Sequence, residues 1–140
     1  MAFKYRIDKQ KNIVFMHFSA TLDDNSLLGA FNQVYAAPEY IPVMDQCINY
    51  SDVSDLSISR LGIERLAALH ENFNCLNIKW KSYIIAPNDL VFGYGRMYQI
   101  LSDGSNEQIE IVRTLDAALQ LIGIGPDSYP FPKQTSTETH

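Results

Sequence analysis

The chain has 140 residues, a length that suits one domain able to bury a sizeable core without disulfides or bound metal. Hydrophobic residues make up 46% of it and charged residues 19%, which is typical of a globular protein and unlike a disordered or membrane-embedded chain. The formal net charge of −5 argues against nucleic-acid binding, because such binding draws its affinity from lysine and arginine placed on phosphates.

The amino terminus and the apolar runs carry no signal for export or for a membrane span. The first ten residues, MAFKYRIDKQ, lack the apolar core of a signal peptide. Runs such as YIIA are far shorter than the roughly 20 residues that a membrane span needs. We therefore expect a cytoplasmic protein, in which Cys47 and Cys75 are buried free thiols.

The first half of the chain predicts a hairpin, a helix and a third strand. Apolar–polar alternation in FKYRID and NIVFMHF, with KQKN between them, predicts two antiparallel strands. Asp23 or Asp24 is expected to cap a helix with one apolar face, which Pro38 and Pro42 end. The stretch VMDQCINYS predicts the third strand, and DVSDLSIS after it predicts a polar loop.

The second half predicts alternating helices and strands. A helix with apolar residues at helical spacing is followed by the buried strand KWKSYIIA, a glycine-bearing helix, the strand IEIVR and a last helix capped by Thr114. The order ββαβαβαβα predicts an α/β sandwich with a mixed, mostly parallel five-stranded sheet, an N-terminal hairpin and about four helices. The domain spans residues 1–122, and the proline-containing stretch 123–140 is expected to be a flexible C-terminal tail.

The glycine-bearing stretch FGYGRMY resembles a phosphate-binding loop only in part. Gly93 and Gly95 match the first two positions of G-x-G-x-x-G, but the third falls on Tyr98, and no Walker sequence is present. Each glycine inside a helix costs about 1 kcal/mol relative to alanine, so we expect a neighbouring element or a ligand to approach the bare backbone there. Arg96 is a candidate contact for a partner or an anion, and pairing with a nearby carboxylate is the alternative.

The segment after the third strand is the second candidate site. Asp52, Asp55, Ser57 and Ser59 lie between a strand and a helix, where open α/β sheets often bind ligands. Ser57 or Ser59 at the helix N-terminus would suit an anion or a phosphoryl group. Plain N-capping is the simpler interpretation, because the two aspartates would repel a phosphate.

No catalytic motif is recognisable in the sequence. The stretch HENFNC begins like the zinc motif HExxH but places Asn74 at the second histidine, and no GxSxG is present. We therefore predict no catalytic residue, no metal site and no cofactor. A site that forms only in the fold, with His17 or His70 near a serine or aspartate, stays open as a further alternative.

Three stretches of the chain resemble the SpoIIAA-like branch of STAS domains, the family of sulfate transporters and anti-sigma-factor antagonists. They are YRIDKQKNIVFMHFSATL, APNDLVFGYGRMYQIL and IEIVRTLDAALQLI, and the region from the first to the last spans about residues 3–122. The resemblance implies a small α/β module that acts by binding. Anti-sigma-factor antagonists carry a phosphorylatable serine in an Asp-Ser-Ser-Gly-type sequence, whereas the corresponding stretch here reads DLSISRLG.

Two functions follow as hypotheses. The first is a non-enzymatic regulatory or protein-interaction module that contacts a protein partner through residues 52–59 and the face with Gly93 and Arg96. The second is a carrier or sensor of a small apolar or lipid-like ligand, because aromatic residues concentrate around the fourth strand and the third helix. The sequence leaves open whether the protein is a monomer or a homodimer.

Overall fold

The structure is a computed structural model that describes residues 2–132, and within them it contains five strands and four α-helices in the predicted order. Two short 3-10 turns, Asn74–Leu76 and Pro126–Ser128, complete the regular structure of this range. The strands and helices are β1 Ala2–Asp8, β2 Ile13–Asp23, α1 Asp24–Tyr35, β3 Asp45–Ser57, α2 Arg60–Glu71, β4 Trp80–Ile85, α3 Asp89–Leu101, β5 Glu107–Val112 and α4 Leu115–Ile122.

The five strands form one mixed sheet in the order β1-β2-β3-β4-β5. β1 pairs antiparallel with β2 through a register that places Asp8 opposite Ile13, and the other neighbouring strands pair in parallel. Each parallel connection passes through a helix, as parallel pairing requires. The predicted α/β class, the hairpin and the mostly parallel sheet are therefore confirmed.

The helices divide between the two faces of the sheet. α1, α2 and α3 pack with alternate residues of β2 such as Val14, Met16 and Phe18 to form the larger core. The intervening residues of β2, Ile13 and Phe15, face α4 and form a smaller core. The sheet is thus covered on both faces, and β2 is buried from both sides along most of its length.

Side-chain caps begin all four α-helices. Asp23 accepts a hydrogen bond from the backbone N–H of Ser26 at the start of α1, as one of the two predicted caps. Ser59, Asn88 and Thr114 cap α2, α3 and α4 in the same way, the last as predicted. Such caps satisfy backbone N–H groups that have no partner within the helix, and they fix where each helix begins.

The polar stretch after the third strand is not a loop, so that prediction is wrong. β3 continues to Ser57, and its extension pairs with the end of β2 as far as the partners Asp23 and Ser57. Two irregularities in the register accommodate this extension, and Ala20 adopts a positive φ of 61° beside one of them. Only one side of the extension is buried, at Val53, so polar residues fill its other positions.

The described part of the predicted tail packs against the sheet. Tyr129 is buried in the smaller core and accepts a hydrogen bond of 3.0 Å from Asn49 Nδ2. Residues 123–132 therefore belong to the packed domain and do not form a free tail. Residues 133–140, the rest of that prediction, lie outside the described residues.

The two cysteines occupy different environments. Cys47 is buried on β3, and burial raises the pKa of its thiol to about 12, so it is an unreactive core residue. Cys75 is exposed, which corrects the expectation that both thiols are buried. Neither cysteine is in a disulfide. None of the helices within residues 2–132 has the length and apolar character needed to cross a membrane.

Candidate functional site

An apolar cavity of about 50 Å³ lies between the sheet and helices α1, α2 and α3. Side chains from all three helices and from β2 to β5 contribute to its wall, among them Phe31, Ile48, Leu66, Ile84 and Val91. A single water occupies roughly 10–15 Å³ on a comparable measure, so the cavity has room for a few heavy atoms. Because its wall is almost entirely apolar, the space suits an apolar group better than water.

Three polar side chains close one end of this cavity. His70 of α2, Tyr98 of α3 and Glu107 of β5 all line it, although each is buried. The Tyr98 hydroxyl donates a hydrogen bond to Glu107 Oε1 and contacts His70 Nδ1. His70 Nδ1 also lies 3.6 Å from Glu107 Oε1, so a histidine, a tyrosine and a carboxylate meet at one point.

Three further side chains extend this group into a closed ring of hydrogen bonds. Tyr35 lies 2.6 Å from His70 Nε2 and donates to Gln46 Oε1 at 2.8 Å. Gln46 Nε2 donates to Ser82 Oγ at 3.0 Å, and Ser82 Oγ donates to Glu107 Oε2. We call this set the polar ring, which consists of Tyr35, Gln46, His70, Ser82, Tyr98 and Glu107.

The environment of the polar ring changes the acidity of its members. Burial raises the pKa values of Tyr35 and Tyr98 well above their ordinary range, and the nearby Glu107 carboxylate raises that of Tyr98 further. Burial alone would raise the pKa of Glu107 as well. The attraction of the neighbouring His70 and the hydrogen bonds from Ser82 and Tyr98 outweigh burial and lower the Glu107 pKa. The ring therefore favours an ionised carboxylate and neutral phenols.

A polar cleft of about 270 Å³ lies on the other side of the ring. His70 and Glu107 line this cleft as well as the cavity, so they form a wall between the two spaces. Glu71 and Asp103 also line the cleft and give it acidic character. Within residues 2–132, no group of three or more His, Cys, Asp or Glu side chains is positioned to hold a metal ion.

The structure separates the four residues of the predicted site at positions 52–59. The Asp52 carboxylate lies 2.7 Å from His17 Nε2 on the face that carries the smaller core. Asp55 is exposed and lines a groove of about 290 Å³ near the start of α3. Ser57 is exposed at the end of β3, and Ser59 caps α2. These side chains do not form one site.

The N-terminus of α2 already holds an anion from the chain itself. The Asp24 carboxylate accepts a hydrogen bond of 2.9 Å from the Ser59 backbone N–H, and it also accepts one from the Ser59 hydroxyl. Gly62 makes room for it, because a Cβ at that position would lie 2.1 Å from Asp24 Oδ1. A helix N-terminus attracts negative charge, and here Asp24 occupies the place that a phosphate would take.

The two glycines of α3 differ in their surroundings. A Cβ on Gly95 would meet Ile111 Cδ1 of β5 at 3.3 Å, so the expected close approach occurs there, and it is made by the sheet. Gly93 faces open space, and for this residue the expectation of close packing is wrong. Arg96 is exposed and forms no ion pair with a carboxylate of residues 2–132.

His17 lies apart from the cavity and the cleft. Its Nδ1 atom is buried and has no hydrogen-bond partner among residues 2–132, and its ring lies 5.8 Å from that of Phe131. His70 is the histidine that borders a cleft, and both of its ring nitrogens contact tyrosine hydroxyls.

Among the six members of the polar ring, sequence reasoning named only His70 as a residue for chemistry, and it mentioned Tyr98 only for its position in the glycine-bearing helix. A signal for the others exists in the strands, where Gln46, Ser82 and Glu107 each stand two positions before an isoleucine that faces the larger core. Because side chains two apart share a face of a strand, this pattern places a polar group on the buried face near the start of three strands. Comparison with known proteins yields no match to a family model and no match to a curated protein.

Proposed function

We propose that the protein is a non-enzymatic binding module whose apolar cavity takes up a small apolar ligand. The observation that supports this proposal is the cavity itself, a space of about 50 Å³ with an almost entirely apolar wall in a densely packed face of the sheet. The volume favours a molecule of a few heavy atoms over a lipid chain. The resemblance to SpoIIAA-like STAS domains, which act by binding, agrees with a module of this kind.

The polar ring also argues for an apolar ligand. His70, Tyr98 and Glu107, the ring members at the end of the cavity, are all hydrogen-bonded within the ring, so none offers a free N–H or O–H donor to a polar ligand. The same saturation argues against acid–base catalysis by His70, because Tyr35 and Tyr98 occupy both of its ring nitrogens.

Methyl NMR of the full chain with xenon or cyclopentane as the probe tests this function. We expect saturable shifts confined to methyl groups of the cavity wall, such as those of Ile48, Leu66 and Val91. Val91→Ile adds a methylene group beside the cavity and should weaken probe binding. Val34→Ile makes the same change in a buried helix position that does not line the cavity, so it is the matched control. Shifts scattered over the whole core, or equal binding in both variants, would contradict the proposal.

A second candidate, protein interaction, is favoured by the groove near the start of α3. Val53, Asp55 and Leu56 form one wall, and Leu90 on the other side is 58% exposed. A partner could insert an apolar side chain there, and a second copy of the chain is the simplest partner. Sedimentation velocity should then detect a dimer that Leu90→Glu dissociates. Ile100→Glu, at another exposed position of α3, should leave it intact. If the wild-type protein stays monomeric at high concentration, a second copy of the chain is not the partner that binds this groove.

A further inference from the structure

The polar ring takes one residue from each of six elements around the cavity. Tyr35, His70 and Tyr98 come from the last turns of α1, α2 and α3, whereas Gln46, Ser82 and Glu107 come from β3, β4 and β5. The ring therefore ties three helices to three strands, at the end of the sheet where the helices finish. The partial negative charge at helix C-termini favours a positive charge at this place.

The number of protons in the ring decides whether it can close. The ring has six contacts, and each needs one proton between its two heavy atoms. Tyr35, Ser82 and Tyr98 each supply one proton, and the Gln46 amide supplies one in either of its two orientations. The remaining two contacts must obtain their protons from His70 and Glu107 together.

Two arrangements satisfy this requirement. Either His70 carries both protons and Glu107 is ionised, or each of the two residues carries one. They differ only by a proton passed from Glu107 to His70 through the Tyr98 hydroxyl, which loses one proton as it gains the other. With one proton fewer, two lone pairs face each other in one contact, and with one more, two protons do. Either change breaks a hydrogen bond in a buried site, where an unpaired polar group is costly.

We propose that the polar ring is a proton-dependent latch: His70 and Glu107 jointly hold two protons when it is closed, and gain or loss of one proton opens the wall between cavity and cleft. Of the two arrangements, the lowered pKa of Glu107 favours the one with the ionised carboxylate. That opening the wall would control access to the cavity rests on the proposed function of the cavity, whereas the number of protons in the ring does not. The groups that surround the latch are the phenols of Tyr35, Tyr40, Tyr50 and Tyr98 and, in the cleft, the carboxylates of Glu71 and Asp103.

Nitrogen-15 NMR of the histidine rings, recorded on the full chain across a pH series, tests the proton count. Glu107→Gln supplies a proton of its own to the ring, so His70 then needs only one. We expect this variant to take up the second His70 proton at a lower pH than the wild type does. His17, on the opposite face of the sheet, is the internal control and should not change. Equal His70 titrations in both proteins overturn the proposal.

A second variant keeps the count testable if Glu107→Gln does not fold. Tyr35→Phe removes the partner of His70 Nε2 and with it the requirement for a proton on that atom. The variant should lose the Nε2 proton at a lower pH than the wild type does. If His70 titrates in this variant as it does in the wild type, the proposed number of protons in the ring is wrong.

Trp80 reports whether the wall opens. It is the single tryptophan of the chain, it is buried, and its ring packs edge-on against His70 with centroids 5.4 Å apart. In Glu107→Gln, acrylamide quenching of Trp80 should rise as His70 takes up its second proton. In the wild type it should rise at lower pH, where Glu107 is protonated, and also at higher pH, where the ring loses one of its two protons. If the quenching of Trp80 does not change with pH in this way, the proposal that the wall opens is wrong. Neither measurement uses a cavity ligand, so either can fail without deciding the proposed function.

Discussion

At the start of α2, one carboxylate decides how the helix begins and what can bind there. Asp24 accepts hydrogen bonds from the Ser59 backbone and hydroxyl, while Ser59 caps the helix through the Gly62 N–H. A phosphate on Ser59 would place a second anion against Asp24 in the same space. This geometry favours N-capping over a phosphoryl switch, as the departure from the Asp-Ser-Ser-Gly sequence also indicates.

The close approach of Asp24 to Gly62 leads to a double-mutant prediction. Gly62→Ala should destabilise the protein by about 1–3 kcal/mol, because the new Cβ would lie 2.1 Å from Asp24 Oδ1 and force the carboxylate away. With Asp24→Ala already present, the same change should stabilise it by up to about 1 kcal/mol, since alanine is the better helix former. Urea unfolding of the four proteins measures the coupling. Additive effects of the two substitutions would show that the contact is not formed.

At the scale of single elements, the glycines of α3 make a matched pair. Gly93→Ala should stabilise the protein by up to about 1 kcal/mol, because alanine favours a helix and the new methyl group enters open space. Gly95→Ala gains the same helix preference but presses Cβ to within 3.3 Å of Ile111 Cδ1. We therefore expect Gly95→Ala to be less stable than Gly93→Ala in urea unfolding. Equal free energies of unfolding for the two variants would mean that the Ile111 side chain moves away from the new methyl group without destabilising the protein.

The sequence predicts the elements better than it predicts their ends and their contacts. Helix caps such as Asp23 and Thr114 are local signals, and the structure confirms them. The extension of β3 reads as a loop in the sequence because its residues are polar. It projects beyond the last residue that pairs with β4, so it has β2 on one edge and solvent on the other. The pairing that makes it a strand comes from β2, far away in the chain, and no local pattern reports it.

The candidate site depends still more on distant contacts. The polar ring draws on residues between Tyr35 and Glu107, and most of its contacts join side chains separated by 25 or more positions. A polar residue on the apolar face of a strand, such as Gln46 or Ser82, is a visible anomaly in the sequence. Which partner satisfies it is decided only when the helices pack.

At the scale of the whole molecule, the C-terminal segment completes the second face of the sheet. Tyr129 packs edge-on against Phe15 and bonds Asn49, so we expect Tyr129→Ala to destabilise the protein by about 3–5 kcal/mol. Tyr129→Phe keeps the ring and removes only the hydroxyl, and it should cost about 1 kcal/mol. Thermal or urea unfolding measures both. A Tyr129→Ala variant as stable as the wild type would mean that the segment does not hold this face.

The polar ring also determines how the stability of the whole molecule depends on pH. The pKa of Glu107 is lowered in the folded chain, so its contribution is present above the unfolded pKa of about 4.3 and is lost as the pH falls through the folded value. The pKa values of Tyr35 and Tyr98 are raised by burial, so their contribution is complete below the unfolded pKa of about 10 and is lost as the pH rises above it.

We therefore expect the free energy of unfolding to fall as the pH drops below about 4, through loss of the Glu107 contribution, and to fall as the pH rises above about 10, through loss of the tyrosine contributions. Urea unfolding at intervals from pH 3 to pH 11 measures this profile. Tyr98→Phe removes one of the buried phenols, so its unfolding free energy should decline less steeply above pH 10 than that of the wild type, whatever its stability at neutral pH. Parallel alkaline slopes in the two proteins would show that Tyr98 ionises as readily in the folded chain as in the unfolded one, and that the ring does not hold its proton.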